Sequence, residues 1–215
     1  MKKVQVLLIA IVVATMAFAQ PEKGNIYLGG NLNIGFGGSK TEVGSTSTDG
    51  PKTFNFGISP KVGYFISDKL SVGLDLGYNM NSSKLEVDPT TTTTTSSMIG
   101  TGVFARYHIF PVEKFGFFFE GNVGASFGGN NTKTETSGTT NEYKKSLFGI
   151  NAGISPGLAI YFSKKVAFEA QYGFLGFTST TETDDNGAED VKDTQGGFGL
   201  NVNPSSFKFG VSVLF

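Results

Sequence analysis

The sequence predicts an all-β protein, a single eight-stranded antiparallel up-and-down transmembrane β-barrel preceded by a cleavable signal peptide. Three observations lead there. The terminal stretch Phe207 to Phe215 alternates with period two: Phe207, Phe209, Val211, Val213 and Phe215 share one face, and Lys208, Gly210 and Ser212 the other. A strand–turn–strand unit recurs along the chain. Finally, 30 glycines accompany 21 phenylalanines in a chain whose hydropathy averages close to zero, as expected where small lumen residues alternate with lipid-facing aromatics.

Lys2 and Lys3 precede the apolar run Val4 to Phe18, which ends in Ala17-Phe18-Ala19. Residues 1–19 therefore read as a secretory signal, too short for a membrane helix, and 20–215 as one barrel domain. The chain contains no cysteine, so an exported protein of this composition must be held by closure and packing rather than disulfides. A formal charge of −1 gives no footprint for nucleic acid.

The repeat sets the strands. Gly57-Ile58-Ser59-Pro60 recurs as Gly153-Ile154-Ser155-Pro156, and Phe65, Lys69 and Leu70 correspond to Phe110, Lys114 and Phe115. Short turns are predicted near Ser67-Asp68-Lys69, Pro111 to Lys114 and Ser163-Lys164-Lys165. Strands are expected at 25–36, 54–65, 70–80, 99–109, 115–127, 148–161, 166–175 and 206–215, each near or above the roughly 9–11 residues a tilted crossing requires. The other connections, about 38–52, 81–97, 129–145 and 178–197, are rich in Thr, Ser, Gly and Asn and are expected as long, solvent-facing loops. Pro60 and Pro156 fall inside strands that have no free edge, which predicts bulges there.

In these strands the apolar register contains no Asp, Glu, Lys or Arg, as a lipid-facing wall requires. Tyr64, Tyr78, Tyr107 and Tyr172 are candidates for interfacial girdles. The opposite register is mostly Gly, Asn, Ser and Ala and suits a narrow, filled lumen. Its charges are Lys61, Asp75, Arg106, Glu120, Glu169 and Lys208, three of each sign. Lys61 with Asp75, and Arg106 with Glu120, are placed symmetrically about their turns, which predicts cross-strand ion pairs within a polar lumen network.

No cofactor or metal centre is predicted. The single histidine, His108, falls beside the turn at Pro111, far from the loops, so no Ser–His–acid grouping at the outer rim follows from it. The acidic fourth loop, Glu182, Asp184, Asp185, Glu189, Asp190 and Asp193, matches no EF-hand spacing. Gly35-Phe36-Gly37-Gly38 is not followed by the lysine of a phosphate loop. A soluble lipocalin-like barrel would begin with Gly-x-Trp, and the chain has no tryptophan.

With its signal segment, its alternating strands, Gly102-Val103-Phe104-Ala105-Arg106-Tyr107-His108 and its terminal Phe215, the chain resembles the OmpX/OmpA-like outer-membrane β-barrel family, often labelled porin family. That resemblance implies an outer-membrane location in a Gram-negative cell and a monomer embedded in outer-membrane lipid and lipopolysaccharide. It also implies that Phe207, Phe209, Val211, Val213 and Phe215 carry the signal read by the barrel-assembly machinery. The function expected is structural or surface-interacting and non-enzymatic, with the loops available to host or cell-surface ligands. A small-solute channel and a lipid-modifying enzyme are the alternatives.

Overall fold

Antiparallel hairpins follow one another through the described residues. The computed structural model describes residues 21–43, 46–112, 114–163, 165–184, 191–202 and 207–215. The expected signal peptide lies outside these. Among the described residues there are ten strand segments: β1 (Ile26–Val43), β2 (Thr46–Ser67), β3 (Leu70–Val87), β4 (Thr90–Val112), β5 (Phe115–Thr136), β6 (Thr139–Tyr161), β7 (Val166–Gln171), β8 (Phe174–Asp184), β9 (Val191–Asn201) and β10 (Lys208–Leu214). They form one sheet in the order β5-β4-β3-β2-β1-β10-β7-β6-β8-β9, closed by pairing of β5 with β6. Closure satisfies the backbone ladder, as a lipid environment demands.

Ten segments replace the eight uninterrupted strands expected because the last two crossings are broken. In the seventh, pairing with β6 shifts by one residue, from Gly157↔Gln171 on β7 to Ile154↔Leu175 on β8. The extra residue is accommodated at Gly173, whose φ of 79° favours glycine. One inserted residue reverses the alternation. Phe174, expected on the lipid face, therefore lies over the lumen glycines Gly153 and Gly176, and Leu175 and Phe177 take its place outside. The eighth crossing is divided between β9 and β10.

The expected loops are mostly strand. The hairpins β1–β2, β3–β4, β5–β6 and β8–β9 remain paired up to Val43↔Thr46, Val87↔Thr90, Thr136↔Thr139 and Asp184↔Val191. A 22-residue strand such as β5 runs about 70 Å at ~3.3 Å per residue, far beyond one membrane crossing. Threonine explains the departure. Its β-branched side chain favours extended backbone, and hydroxyls meet across strands at Thr90–Thr136 (3.0 Å), Thr94–Thr132 (3.3 Å) and Thr181–Thr194 (2.9 Å). The β5–β6 turn is tight: Ser137 and Gly138 have φ of 47° and 85°, the signs a two-residue hairpin needs.

Pro60 does not produce a bulge. The β2–β3 ladder omits Ser59 and Pro60 yet resumes in the same register, Ile58↔Tyr78 before and Lys61↔Asp75 after. The missing donor costs pairing without inserting a residue. At Pro156 the irregularity belongs to the neighbouring crossing: β6 stays in register with β5, and Tyr172 N donates to the Pro156 carbonyl at 3.2 Å beside the β7–β8 break.

The two faces separate as the alternation predicts. Leu28, Leu74, Val103, Phe119, Ile150, Phe209 and Val211 are exposed on the outer wall, with Tyr64 and Tyr107 among them. Inside, Tyr27, Phe65, Phe104, Phe118, Tyr161 and Leu214 form a buried core at the end that carries the short turns. Glycine makes room for these rings. A Cβ on Gly73 would lie 2.6 Å from Gly63 Cα and 2.7 Å from Phe104 Cζ, and one on Gly157 would strike Phe118.

Candidate functional site

Above the aromatic base of the lumen, four side chains from different crossings meet. β2 supplies Lys61, β4 Arg106, β5 Glu120 and β7 Glu169, each at an inward position because lumen and lipid positions alternate along a strand. Arg106 is only 1% exposed. Its Nε and Nη2 donate to Glu120 Oε2 at 3.0 and 2.6 Å, and its Nη1 donates to Glu169 Oε2 at 2.8 Å. Lys61 Nζ donates to Glu120 Oε1. The four charges cancel.

Neutral groups complete the network. Gln171 donates to Glu120 Oε1 at 3.0 Å and accepts from Asn31 at 3.2 Å, while the Tyr27 hydroxyl donates to Glu169 Oε2 at 3.0 Å. The Arg106 guanidinium also lies 4.1 Å from the Phe118 ring centre and 4.8 Å from that of Tyr27. Ions held away from water stabilise a fold only when their polar atoms find partners, and among the described residues none of the buried nitrogen or oxygen atoms of these four side chains is left without one.

Lys61 and Asp75 are register partners, as are Arg106 and Glu120. Only the second couple forms an ion pair. The Lys61 ammonium instead crosses the lumen, passing 5.3 Å from the Phe104 ring centre to reach Glu120, which a long flexible stem permits and a register argument does not reveal. Asp75 accepts from Asn122 Nδ2 at 2.8 Å, and Asn122 in turn accepts from Asn151. Gly102 lies between Asp75 and Asn122, and a Cβ there would fall 3.0 Å from Asp75 Oδ1 and 2.9 Å from Asn122 Nδ2. Lys208 stands outside the cluster, on the lumen face of β10 and exposed.

Tyr27, Asn31, Gln171 and the inward aromatics were not predicted as partners. Their signal was available, since each falls in the lumen register of its strand. His108 is buried between rings: its centre is 5.1 Å from Phe65, 5.8 Å from Phe110 and 6.0 Å from Phe118, with Ser71 Oγ 3.5 Å from Nε2. Among the described residues no group of three or more His, Asp or Glu is placed to hold a metal ion. No described helix is long and apolar enough to cross a membrane; the crossings are strands. Lys145 pairs with Glu182, linking β6 to β8, and part of the acidic loop, residues 185–190, lies outside the described residues.

The residues proposed as the assembly signal occupy one face of β10. Phe207, Phe209, Val211 and Phe215 are exposed, Val213 is half-buried, and Phe215 exchanges backbone hydrogen bonds with Ile26 at 2.9 and 3.0 Å.

No curated protein sequence matches the chain. Among solved structures, it is similar to the attachment invasion locus protein Ail of Yersinia pestis, at 14% identity over 90% of this chain and 99% of that one, with a TM-score of 0.40. It is also similar to Neisserial surface protein A, at 18% identity over 90% and 100% with a TM-score of 0.39. OprG of Pseudomonas aeruginosa is similar at 11% identity over 92% and 99%, with a TM-score of 0.40. The family model described as outer membrane protein beta-barrel domain matches residues 6–215, so the chain belongs to that family and resides in the outer membrane.

Proposed function

We propose that the protein is a non-enzymatic surface-interaction barrel, closed at its base, that presents an extended β-surface outside the cell to host or neighbouring-cell ligands. The observation that carries this reading is the length of the paired strands. Six of them, β1 to β6, run 18–23 residues, so ordered sheet stands well beyond any membrane crossing. Such a surface costs less ordering entropy on binding than flexible loops would.

The charged cluster serves as a plug in this reading. Arg106, Glu120, Glu169 and Lys61 are all buried, and the aromatic core lies beneath them, so nothing in the arrangement favours a water-filled path through the base. His108, enclosed by rings at the same end, is a packing residue. Phe207, Phe209, Val211, Val213 and Phe215 are proposed as the strand recognised by the assembly machinery.

The test shortens the hairpins, replacing 83–94 and 132–143 with two-residue turns, and compares intact and shortened protein for binding to cultured cells and to immobilised glycans. Binding should be lost with the shortened form while the membrane-inserted barrel remains folded. Equal binding by both forms would remove the surface role.

A further inference from the structure

Four joints at the base of the barrel carry a lysine, and three of them are built alike. Lys69, Lys114 and Lys165 each stand immediately before an ascending strand, β3, β5 and β7. Their carbonyls accept from the backbone nitrogens of His108, Tyr161 and Leu214 at 2.7, 2.9 and 2.7 Å, in each case a bond to the next crossing. Two of the turns share a serine cap as well. Ser67 Oγ accepts from the nitrogens of Lys69 and Leu70 at 3.4 and 3.1 Å, and Ser163 Oγ accepts from those of Lys165 and Val166 at 3.2 and 3.1 Å. The fourth joint, where the first and last crossings meet, carries Lys23, whose backbone nitrogen donates to Asp68 Oδ1 at 2.9 Å. All four lysines are exposed.

These cations stand where the apolar wall ends. Ile66 and Phe162, three residues before Lys69 and Lys165, are exposed on that wall, as is Phe215. The Lys165 ammonium lies 6.0 Å from the centre of the Phe215 ring. Phe215 belongs to the lipid-facing register, so that ammonium is on the membrane side of the barrel and not in the lumen. Short turns face the periplasm in transmembrane barrels, which puts the lysines at the depth where hydrocarbon gives way to the head groups of the periplasmic leaflet. A lysine is suited to that depth, its stem along apolar surface and its ammonium in water. Among the described residues of this rim the charged side chains are the four lysines against Glu22 and Asp68, so the rim is positive.

We infer that the base of the barrel is a docking rim for anionic phospholipids of the periplasmic leaflet, their phosphodiesters held by Lys69, Lys114 and Lys165 and their chains lying along the wall above. The distribution of the cations decides the class of partner. Successive turn lysines are separated by two strands, roughly 10 Å of sheet, and they go around the barrel. A globular partner would meet one sector of such a ring, whereas lipid surrounds all of it. The sign decides the head group: a phosphodiester with no amine of its own presents an uncompensated negative charge to an ammonium, and a zwitterionic one does not. This rim is independent of the surface role, because it occupies the opposite end of the barrel.

The experiment uses the whole barrel refolded in phosphatidylcholine nanodiscs that contain a minor fraction of phosphatidylglycerol. The probe is phosphatidylglycerol bearing a doxyl label on its acyl chain near the head group, and phosphatidylcholine with the same label is the reference. The amides of His108, Tyr161 and Leu214, which bond to the three lysine carbonyls, should broaden more with the labelled phosphatidylglycerol than with the reference. High salt should reduce the difference on the unmodified protein. Each of Lys69→Gln, Lys114→Gln and Lys165→Gln should lower the preference at its own turn about fivefold, and the triple variant should lose it. Heat-modifiable gel mobility reports folding of each variant, and Lys84→Gln with Lys133→Gln, in the strand extensions, should leave the preference unchanged. The proposal is overturned if the two labels broaden these amides equally, if the difference is insensitive to salt, if the folded triple variant keeps it, or if the extension variant loses it.

Discussion

Replacing Arg106 by methionine removes the centre of the lumen network while keeping an unbranched apolar stem among Phe118, Tyr27 and Phe104. Three donated hydrogen bonds disappear, two to Glu120 and one to Glu169. The carboxylates are not equally affected. Glu120 retains Lys61 and Gln171, whereas among the contacts described above Glu169 retains only the Tyr27 hydroxyl. Removing one partner of a buried pair costs ~3–5 kcal/mol, chiefly through the charge left behind, so the variant should lose about that much stability. Lys61→Met should cost ~1–3 kcal/mol, since Glu120 remains bonded to Arg106 and Gln171. Adding Glu169→Met to Arg106→Met should recover part of the loss, because the double variant buries no orphaned carboxylate. Urea titration in lipid vesicles, with heat-modifiable gel mobility as the folded signal, measures all three. If Arg106→Met costs less than about 1 kcal/mol, or no more than Lys61→Met, the network is not what holds the base together.

Three further outcomes follow from the same geometry. Gly73→Ala places a methyl against the Val62 carbonyl, Gly63 and the Phe104 ring, and should destabilise by ~1–3 kcal/mol in the same titration. Planar-bilayer recordings of the parent protein should show no large steady open state, whereas Arg106→Met combined with Phe118→Ala should raise conductance; a large open state in the parent would contradict a plugged base. In the strand extensions, Lys84 pulls the Glu86 carboxyl below the usual carboxylate range, and Lys133 does the same to Glu135, through contacts of 2.5 Å each. A depressed carboxylate pKa stabilises above the unfolded value and is lost as pH falls through the folded one. Protection of the extension amides, taken relative to the intrinsic exchange rate at each pH, should therefore fall on acidification before that of the barrel, and a uniform change in protection would remove this account.

Much of the barrel was legible because lipid enforces a rule that a single sequence displays. A basic residue at the midplane costs ~2–4 kcal/mol, so the charge-free register could be read directly as the outer wall, and Lys61, Arg106, Glu120 and Glu169 as lumen residues. The hairpin extensions were not legible for the opposite reason. Thr90 to Thr95 reads as a loop by composition, and its strand character comes from pairing with Asn131 to Thr136, a non-local partner that no local window contains. The inward turn of Phe174 was hidden too, because it depends on one glycine at φ 79° rather than on any change of pattern. Register placed Lys61 opposite Asp75 correctly, yet its ion pair is with Glu120, because the reach of a side chain across a lumen is a property of the closed barrel.

The two levels of the barrel divide the work that a single wall cannot do. Below Leu32↔Phe209 every crossing has two neighbours, the lumen is occupied by rings and cancelled charges, and any loosening exposes a buried ion, so this part must be rigid. Above it, among the described residues, β1 beyond Leu32 is paired only with β2, and the strands continue as long hairpins. The break at Gly173 makes the change of level possible, carrying the seventh crossing from its β7 pairing with β6 at the base to its β8 pairing with β6 above. Lys208 sits at that boundary, above the cluster that neutralises the other lumen cations. From there its charge acts on Lys61 within the cluster and on Asp75, the lumen carboxylate outside it.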